Sequence, residues 1–286
     1  MSLNPLPSTN VTDIYLWRHG ETNANKANLT AGGSPELYPD FVYCAQMTAL
    51  NEQGREQADK LGRLLVKFAL DVIYTSDMGR ARDTAVAVVN AYALKGRSVE
   101  LTQSMQLREI IHGQLDLIPV KTRNEMGQTL LLELLRQVEN RTTTLPHDIF
   151  LAWKLHPIAA PHQIVGEECV TNNVVDVQKY IETKETRSET PWLLFHRITQ
   201  EITKIAQANF GKKIGISTHG AALETLLLGL NKEFKGTYVP PYWHHEPISH
   251  GSQLIPAGAK IKNCDLLHLQ FDLNTNELSF LEKITV

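Results

Sequence analysis

Four short stretches of this 286-residue chain place reactive side chains directly behind apolar, strand-like runs. In "LWRHGETNAN" (16–25) the apolar run breaks into Arg18, His19 and Gly20. In "YTSDMGRARDTA" Arg80 follows the run "DVIYTS", and in "LREIIHG" Glu109 follows "SVELTQ". In "ISTHGAALETLL" the pair His219–Gly220 echoes His19–Gly20. Arg18 offers a rigid fork of donors suited to phosphate or carboxylate. His19 has three uses open to it: nucleophile, base or metal ligand. Gly20 carries no side chain and so lets an anion approach the backbone. Taken singly, each of these residues also has an ordinary structural use, and a three-residue motif arises by chance often enough to need support.

The elements that must position them follow from hydrophobic periodicity. The run 14–17 is a short strand. Behind it, "LNEQGREQADKLGRLLVKFA" reads as a helix with Asn51 as N-cap and Ala58, Leu61, Leu65 and Phe68 on one face. "DVIYTS" is a strand, "RARDTAVAVVNAYA" a helix and "SVELTQ" a third strand. "TPWLLFHRITQEITKIAQANFG" is a helix with Thr190 as N-cap, Pro191 at its first position and a stop at Gly211. Phe195, Ile198, Ile202 and Ile205 form its apolar stripe. "KIGIS" and "HGAALETLLLGL" repeat strand, turn and helix, and the chain closes with two strands around an Asn-rich turn. This alternation predicts an α/β fold: a mostly parallel central sheet with helices on both faces. Ligands of such sheets bind at the carboxyl ends of the strands. Those ends share one edge, so Arg18, His19, Arg80, Glu109 and His219 can converge there. Together they make a cationic pocket with a nucleophile and a proton donor.

Composition narrows the partners. Hydrophobic residues make up 42% and charged residues 21%, ordinary for a soluble globular chain. A net charge of −3 provides no basic footprint for nucleic acid, so an anionic small molecule must be held locally. Three scattered cysteines (Cys44, Cys169, Cys264) form no CxxC pair and fit a reducing compartment. No basic-then-apolar leader and no membrane-length apolar run is present, so a cytoplasmic location is expected. The pattern predicts one domain over 1–286, with a cap-like insert around 115–187 and a long loop around 231–262. Both stretches are long for connections and rich in Pro and His. The second holds His244, His245, Glu246 and His250, but without the helical HExxH spacing and between prolines. A pocket wall fits that stretch better than a metal site.

The blocks "RHGET" with Asn25, "LNEQGREQA", "TSDMGRARDTA", "LREIIHG", "STHGAALETLL" and "KNCDLLHLQFD" resemble the histidine phosphatase superfamily, which includes cofactor-dependent phosphoglycerate mutases. Glu109, and the absence of an Asp after His219, resemble its smaller branch. The resemblance implies that His19 attacks phosphorus and becomes a phosphohistidine. Arg18 and Arg80 would keep that imidazole neutral and, with His219, hold the equatorial oxygens. Asn25 and the Gly220 amide would add neutral donors, with Gly20 and Thr22 beside the phosphate; the Thr22 hydroxyl could equally cap a turn. Glu109 would protonate the leaving oxygen and then activate water, its pKa pushed up by the facing dianion. No cofactor and no metal is implied, because the arginines do the work of a cation. The expected activity is phosphomonoester hydrolysis. Two alternatives are a mutase, which needs further basic residues such as Arg82, Arg108 or Lys121 for a carboxylate, and a non-catalytic phospho-ligand binder. No motif names the substrate or an oligomeric state.

Overall fold

The structure is a computed structural model that describes residues 10–34, 41–113, 116–119, 121–122, 165, 167–172, 174–185, 187–230 and 261–286. Its first strand, β1 (Val11–Arg18), shows why both sheet faces must be covered. Ile14 and Leu16 point into a core shared with Ile198, Ile202 and Leu226. Tyr15 and Trp17 point the other way, into a core shared with Leu61, Leu65 and Val88. Successive strand side chains alternate between faces, so a run buried on both sides reads as continuously apolar.

The strands that follow are β2 (Val72–Ser76) and β3 (Glu100–Ser104), a separate two-stranded hairpin of β4 (Val170–Thr171) and β5 (Val174–Val175), then β6 (Ile214–Thr218), β7 (Leu266–Asp272) and β8 (Glu277–Ile284). The main sheet has the order β3-β2-β6-β1-β7-β8. Its joints from β3 to β1 are parallel, and those from β1 to β8 antiparallel. The sheet is therefore mixed but mostly parallel. The exception lies in the closing hairpin, whose turn uses Asn276 at positive φ.

The helices are α1 (Asn23–Lys26), α2 (Phe41–Thr48), α3 (Glu52–Leu65), α4 (Gly79–Ala93), α5 (Val177–Glu182), α6 (Pro191–Ala208) and α7 (Gly220–Leu230). Asn51 caps α3 by accepting from the Gly54 amide, and Ala58, Leu61 and Leu65 are buried. Phe68 falls just past the helix, on a tighter turn, yet still packs on the same core. Thr190 caps α6 through the Leu193 amide, with Pro191 in the first turn. That helix stops at Ala208 rather than at Gly211. The Asn209 side chain bonds back to the Ile205 carbonyl at 3.0 Å and closes the last turn. Gly211, at φ +76°, then swings the chain toward β6.

Within the expected insert, the described residues pack on the domain. Leu117 and Ile118 exchange backbone hydrogen bonds with Thr30. Val165, Cys169, Val175, Val177 and Tyr180 form a small core against Ile111 and Leu193. The helix expected at "TLLLELLRQVE" and the His-rich stretch 244–250 lie outside the described residues. Cys44, Cys169 and Cys264 are buried free thiols. Among the described residues, no helix is long and apolar enough to cross a membrane, and no cluster of His, Cys, Asp and Glu could hold a metal.

Candidate active site

β1 and β6 are neighbours, so the two His-Gly turns leave the sheet side by side. The His19 amide donates to the Thr218 carbonyl at 3.1 Å, and the two imidazole rings meet edge to face with centroids 5.3 Å apart. Both rings are buried. The Nδ1 of His19 lies 2.7 Å from the Gly20 carbonyl, which can only accept, so Nδ1 carries the proton. Its Nε2 therefore presents a lone pair, which accepts from Nε of Arg80 at 3.2 Å. Burial first, and then the Arg80 and Arg18 guanidiniums, hold the His19 pKa well below the usual imidazole range. This is a neutral, tautomerically defined imidazole.

Arg80 enters from the first turn of α4 and is anchored at its far end by the carbonyls of Ala31 and Gly32, at 3.1 and 3.2 Å. Arg18 donates to the Ile261 carbonyl at 2.8 Å, while its buried Nε has no acceptor among the described residues. His219 is fully buried, and among the described residues neither ring nitrogen has a partner. Burial, Arg80 and His19 hold its pKa well below the usual range as well. Glu109 sits across the pocket. Its carboxylate accepts from the Ile110 amide at 2.9 Å and from the Ala221 amide in the first turn of α7 at 3.2 Å. Burial nonetheless raises its pKa above the ordinary glutamate value. A dianion is not needed to start that shift, because desolvation already provides it.

Gly20 is arranged differently from expectation. The Gly20 amide donates to the Thr84 hydroxyl at 3.0 Å, so it is not directed at a ligand. A Cβ at position 20 would lie 2.3 Å from the Gly54 carbonyl oxygen. Gly20 therefore serves the close approach of α3, not that of an anion. Of the two uses open to Thr22, the structure shows the cap: the residue is fully buried, and its hydroxyl accepts from the Asn25 amide at 3.1 Å. Asn25 completes the capping box by accepting from the Thr22 amide through Oδ1, which leaves its NH2 group uncommitted. Gly220 heads α7, and a Cβ there would lie 3.2 Å from Arg18 Nε.

Two supporting residues, Arg197 and Asn263, and the supporting role of Arg108 escape sequence reasoning. Arg197 on α6 is fully buried and grips both oxygens of the equally buried Glu189 at 2.7 Å. Its remaining donors reach the carbonyls of Gln106, Arg108 and Glu109. All five of its N–H groups are thereby spent, two on Glu189 and three on the segment that carries Glu109. The one available signal was an arginine three residues from Leu194, inside the buried stripe of that helix. Arg108 is bound to Asp77 (Nε to Oδ1, 2.7 Å) and to the Gly33 carbonyl. Asn263, in the loop before β7, donates to the His19 carbonyl and to Asn25 Oδ1.

Residues 14–143 match the family model described as the histidine phosphatase superfamily (branch 1). That span carries Arg18, His19, Arg80 and Glu109, while His219 lies beyond it. An adenosylcobalamin/alpha-ribazole phosphatase of Salmonella typhimurium is 36% identical over 100 residues, 35% of this chain and 41% of that protein. A probable phosphoglycerate mutase of Erwinia tasmaniensis is 34% identical over 103 residues, 36% of this chain and 40% of that protein. The matches thus span about two fifths of the length of these curated relatives. A phosphoglycerate mutase structure from Bacillus anthracis superposes with a TM-score of 0.58 at 20% identity, over 96% of this chain and 93% of that one. At that identity the likeness is one of fold.

Proposed function

We propose that this chain, a member of the histidine phosphatase superfamily, hydrolyses phosphomonoesters through a covalent phosphohistidine on His19. The observation that carries this is the locked tautomer of His19. Nδ1–H is tied to the Gly20 carbonyl, and the Nε2 lone pair faces the buried Arg80 guanidinium. A phosphoryl group entering between Arg18, Arg80 and His219 would present phosphorus to that lone pair.

In the first step Nε2 forms the P–N bond as the P–O bond to the alcohol breaks, and the Glu109 carboxyl gives its proton to the departing oxygen. The guanidiniums of Arg18 and Arg80 balance charge on the equatorial oxygens, and His219 and the Asn25 NH2 donate to them. In the second step the Glu109 carboxylate takes a proton from water as the water oxygen bonds to phosphorus. The P–N bond breaks, its electron pair returns to Nε2, and inorganic phosphate leaves. The raised pKa of Glu109 suits both duties, because it favours the protonated form that the first step uses and makes the carboxylate a stronger base for the second.

Hydrolysis is favoured over mutase chemistry by where the spare cations lie. Arg108 is bound to Asp77 and the Gly33 carbonyl, and Arg82 is exposed beside Asp83. Each is already paired with a carboxylate of this chain. Rapid quenching with an aryl phosphate should trap an acid-labile, base-stable phosphoenzyme. His19→Ala should remove it along with turnover, and excess chelator should change neither. Turnover retained by His19→Ala would overturn the covalent route. Intramolecular phosphoryl exchange on a phosphoglycerate, without release of phosphate, would reassign the chain to the mutases.

A further inference from the structure

The loop 261–265 is fastened to the end of β1. The Arg18 amide donates to the Asp265 carbonyl, the Cys264 amide donates back to the Arg18 carbonyl, and the Arg18 guanidinium holds the Ile261 carbonyl. Cys264 accepts a left-handed backbone, φ +63°, to make this turn. The turn leaves Asn263 directly beside His19. Its Nδ2 donates 3.0 Å to the His19 carbonyl and 3.2 Å to Asn25 Oδ1. Both protons of that amide are therefore in use.

Asn25 Oδ1 also accepts from the Thr22 amide at 3.2 Å. A carboxamide oxygen has two lone pairs, and here both are occupied. With its oxygen turned toward the helix cap and Asn263, the carboxamide of Asn25 has only its NH2 group left to offer the pocket. A flipped carboxamide would set a carbonyl dipole against a phosphate dianion, so the two orientations differ in the sign of their interaction with substrate.

We propose that Asn263 is a positioning residue that fixes which end of Asn25 faces the phosphate, and that it steadies the His19 backbone with the same amide. The role rests on Asn25 facing the phosphate, as proposed above. Asn263→Asp is the sharpest probe, because it keeps shape but replaces the donor with a negatively charged acceptor. Asn25 is then drawn to turn its NH2 toward position 263 and its oxygen toward the ligand.

The test compares wild type, Asn263→Asp, Asn263→Ala, Asn25→Ala and the double variant Asn25→Ala/Asn263→Asp. The readouts are inhibition by inorganic phosphate, kcat and KM on an aryl phosphate, and the melting temperature. Losing a hydrogen bond to a charged group corresponds to roughly 10- to 100-fold in affinity. Asn263→Asp should weaken phosphate inhibition by that order, and more than Asn263→Ala does. In the Asn25→Ala background the Asn263→Asp penalty on phosphate inhibition should largely vanish, leaving a kcat effect that acts through His19. Should Asn263→Asp fail to fold, Asn263→Ala in the two backgrounds reads the same coupling. Penalties that multiply independently, or an Asn263→Asp protein that binds phosphate like wild type, would overturn the role of Asn263. An Asn25→Ala protein with unchanged phosphate inhibition would instead overturn the placement of Asn25 at the phosphate.

Discussion

The chain makes the same dipeptide, His-Gly, at the ends of two adjacent parallel strands, and the two copies are held in opposite ways. His19 has both ring nitrogens engaged, one with the Gly20 carbonyl and one with Arg80, whereas His219 is as deeply buried with neither engaged among the described residues. A buried polar group without a partner is costly, and such groups are retained where a ligand completes them. The engaged ring has a fixed tautomer and a defined lone pair, as a nucleophile requires. In the function proposed above, the unengaged ring is the one that donates to the phosphate. The same dipeptide therefore meets two different environments, and the difference comes from what the neighbouring elements bring: α4 supplies an Arg80 hydrogen bond to the His19 ring and only its charge to the His219 ring.

The contrast is sharpest in activity. On the proposed mechanism His19→Ala removes the bond-forming atom, so turnover should fall by roughly four to six orders of magnitude, with no phosphoenzyme at any time. His219→Asn removes only a donor to the developing charge and should cost about 10²- to 10³-fold in kcat. With a good leaving group its phosphoenzyme should still form, more slowly. If the two variants lose turnover equally and both fail to phosphorylate, the rings do not divide the labour as their hydrogen bonds indicate.

The glycines carry the contrast into stability. A methyl group on Gly20 would meet the Gly54 backbone oxygen at 2.3 Å, and backbone cannot step aside cheaply. Gly20→Ala should cost about 1–3 kcal/mol or more, seen as a lowered urea midpoint. A methyl group on Gly220 would meet only the end of the Arg18 side chain, at 3.2 Å. Gly220→Ala should change stability by less than about 0.5 kcal/mol, since alanine also narrows the unfolded ensemble. Its cost should appear in KM for the phosphate ester, through a displaced guanidinium. Equal destabilisation of the two variants would mean that the α3 contact does not decide the conformation of the first turn.

Much of this site was legible because parallel sheets bring strand ends together. Reactive residues placed just after apolar runs, as at His19, Arg80, Glu109 and His219, are predicted to meet without knowledge of any contact. The strands and main helices were legible for the same reason, because alternation and three-to-four-residue stripes are local. What escaped depends on pairings between distant stretches. Asn263 serves a residue 244 positions earlier. Arg197 is ordered by carbonyls of residues 106, 108 and 109, and a lone arginine in an amphipathic helix ordinarily reads as solvated. Gly20 invited a reading as an anion site because a missing side chain leaves room for either a ligand or another backbone, and only packing tells the two apart. Thr22 was ambiguous in the same way until the α1 cap consumed its hydroxyl.

The last expected effect concerns acid stability, where the two histidines act in concert and Glu109 against them. Burial and the neighbouring guanidiniums hold both rings well below the usual imidazole value of 6.5. Below that pH the unfolded chain takes up protons at both positions while the folded chain resists. Stability therefore falls as pH drops from about 6.5 toward the folded-state values. Glu109 runs the opposite way. Its pKa is raised from 4.5, so the folded chain keeps that proton longer, and stability falls as pH rises above 4.5 through the folded value. His219→Asn should remove one buried imidazole from this balance and flatten the acid limb by roughly 1 kcal/mol per pH unit below 6.5. Urea midpoints at pH 7.5 and 5.5 provide the measurement. Wild type should lose more stability across that interval than His219→Asn, and the two should behave alike above 7. An unchanged acid limb would mean that His219 takes up its proton inside the fold. Its two unpartnered nitrogens would then mark a charged ring, and the division between the two His-Gly turns would have to be redrawn as one between a neutral nucleophile and a cationic clamp.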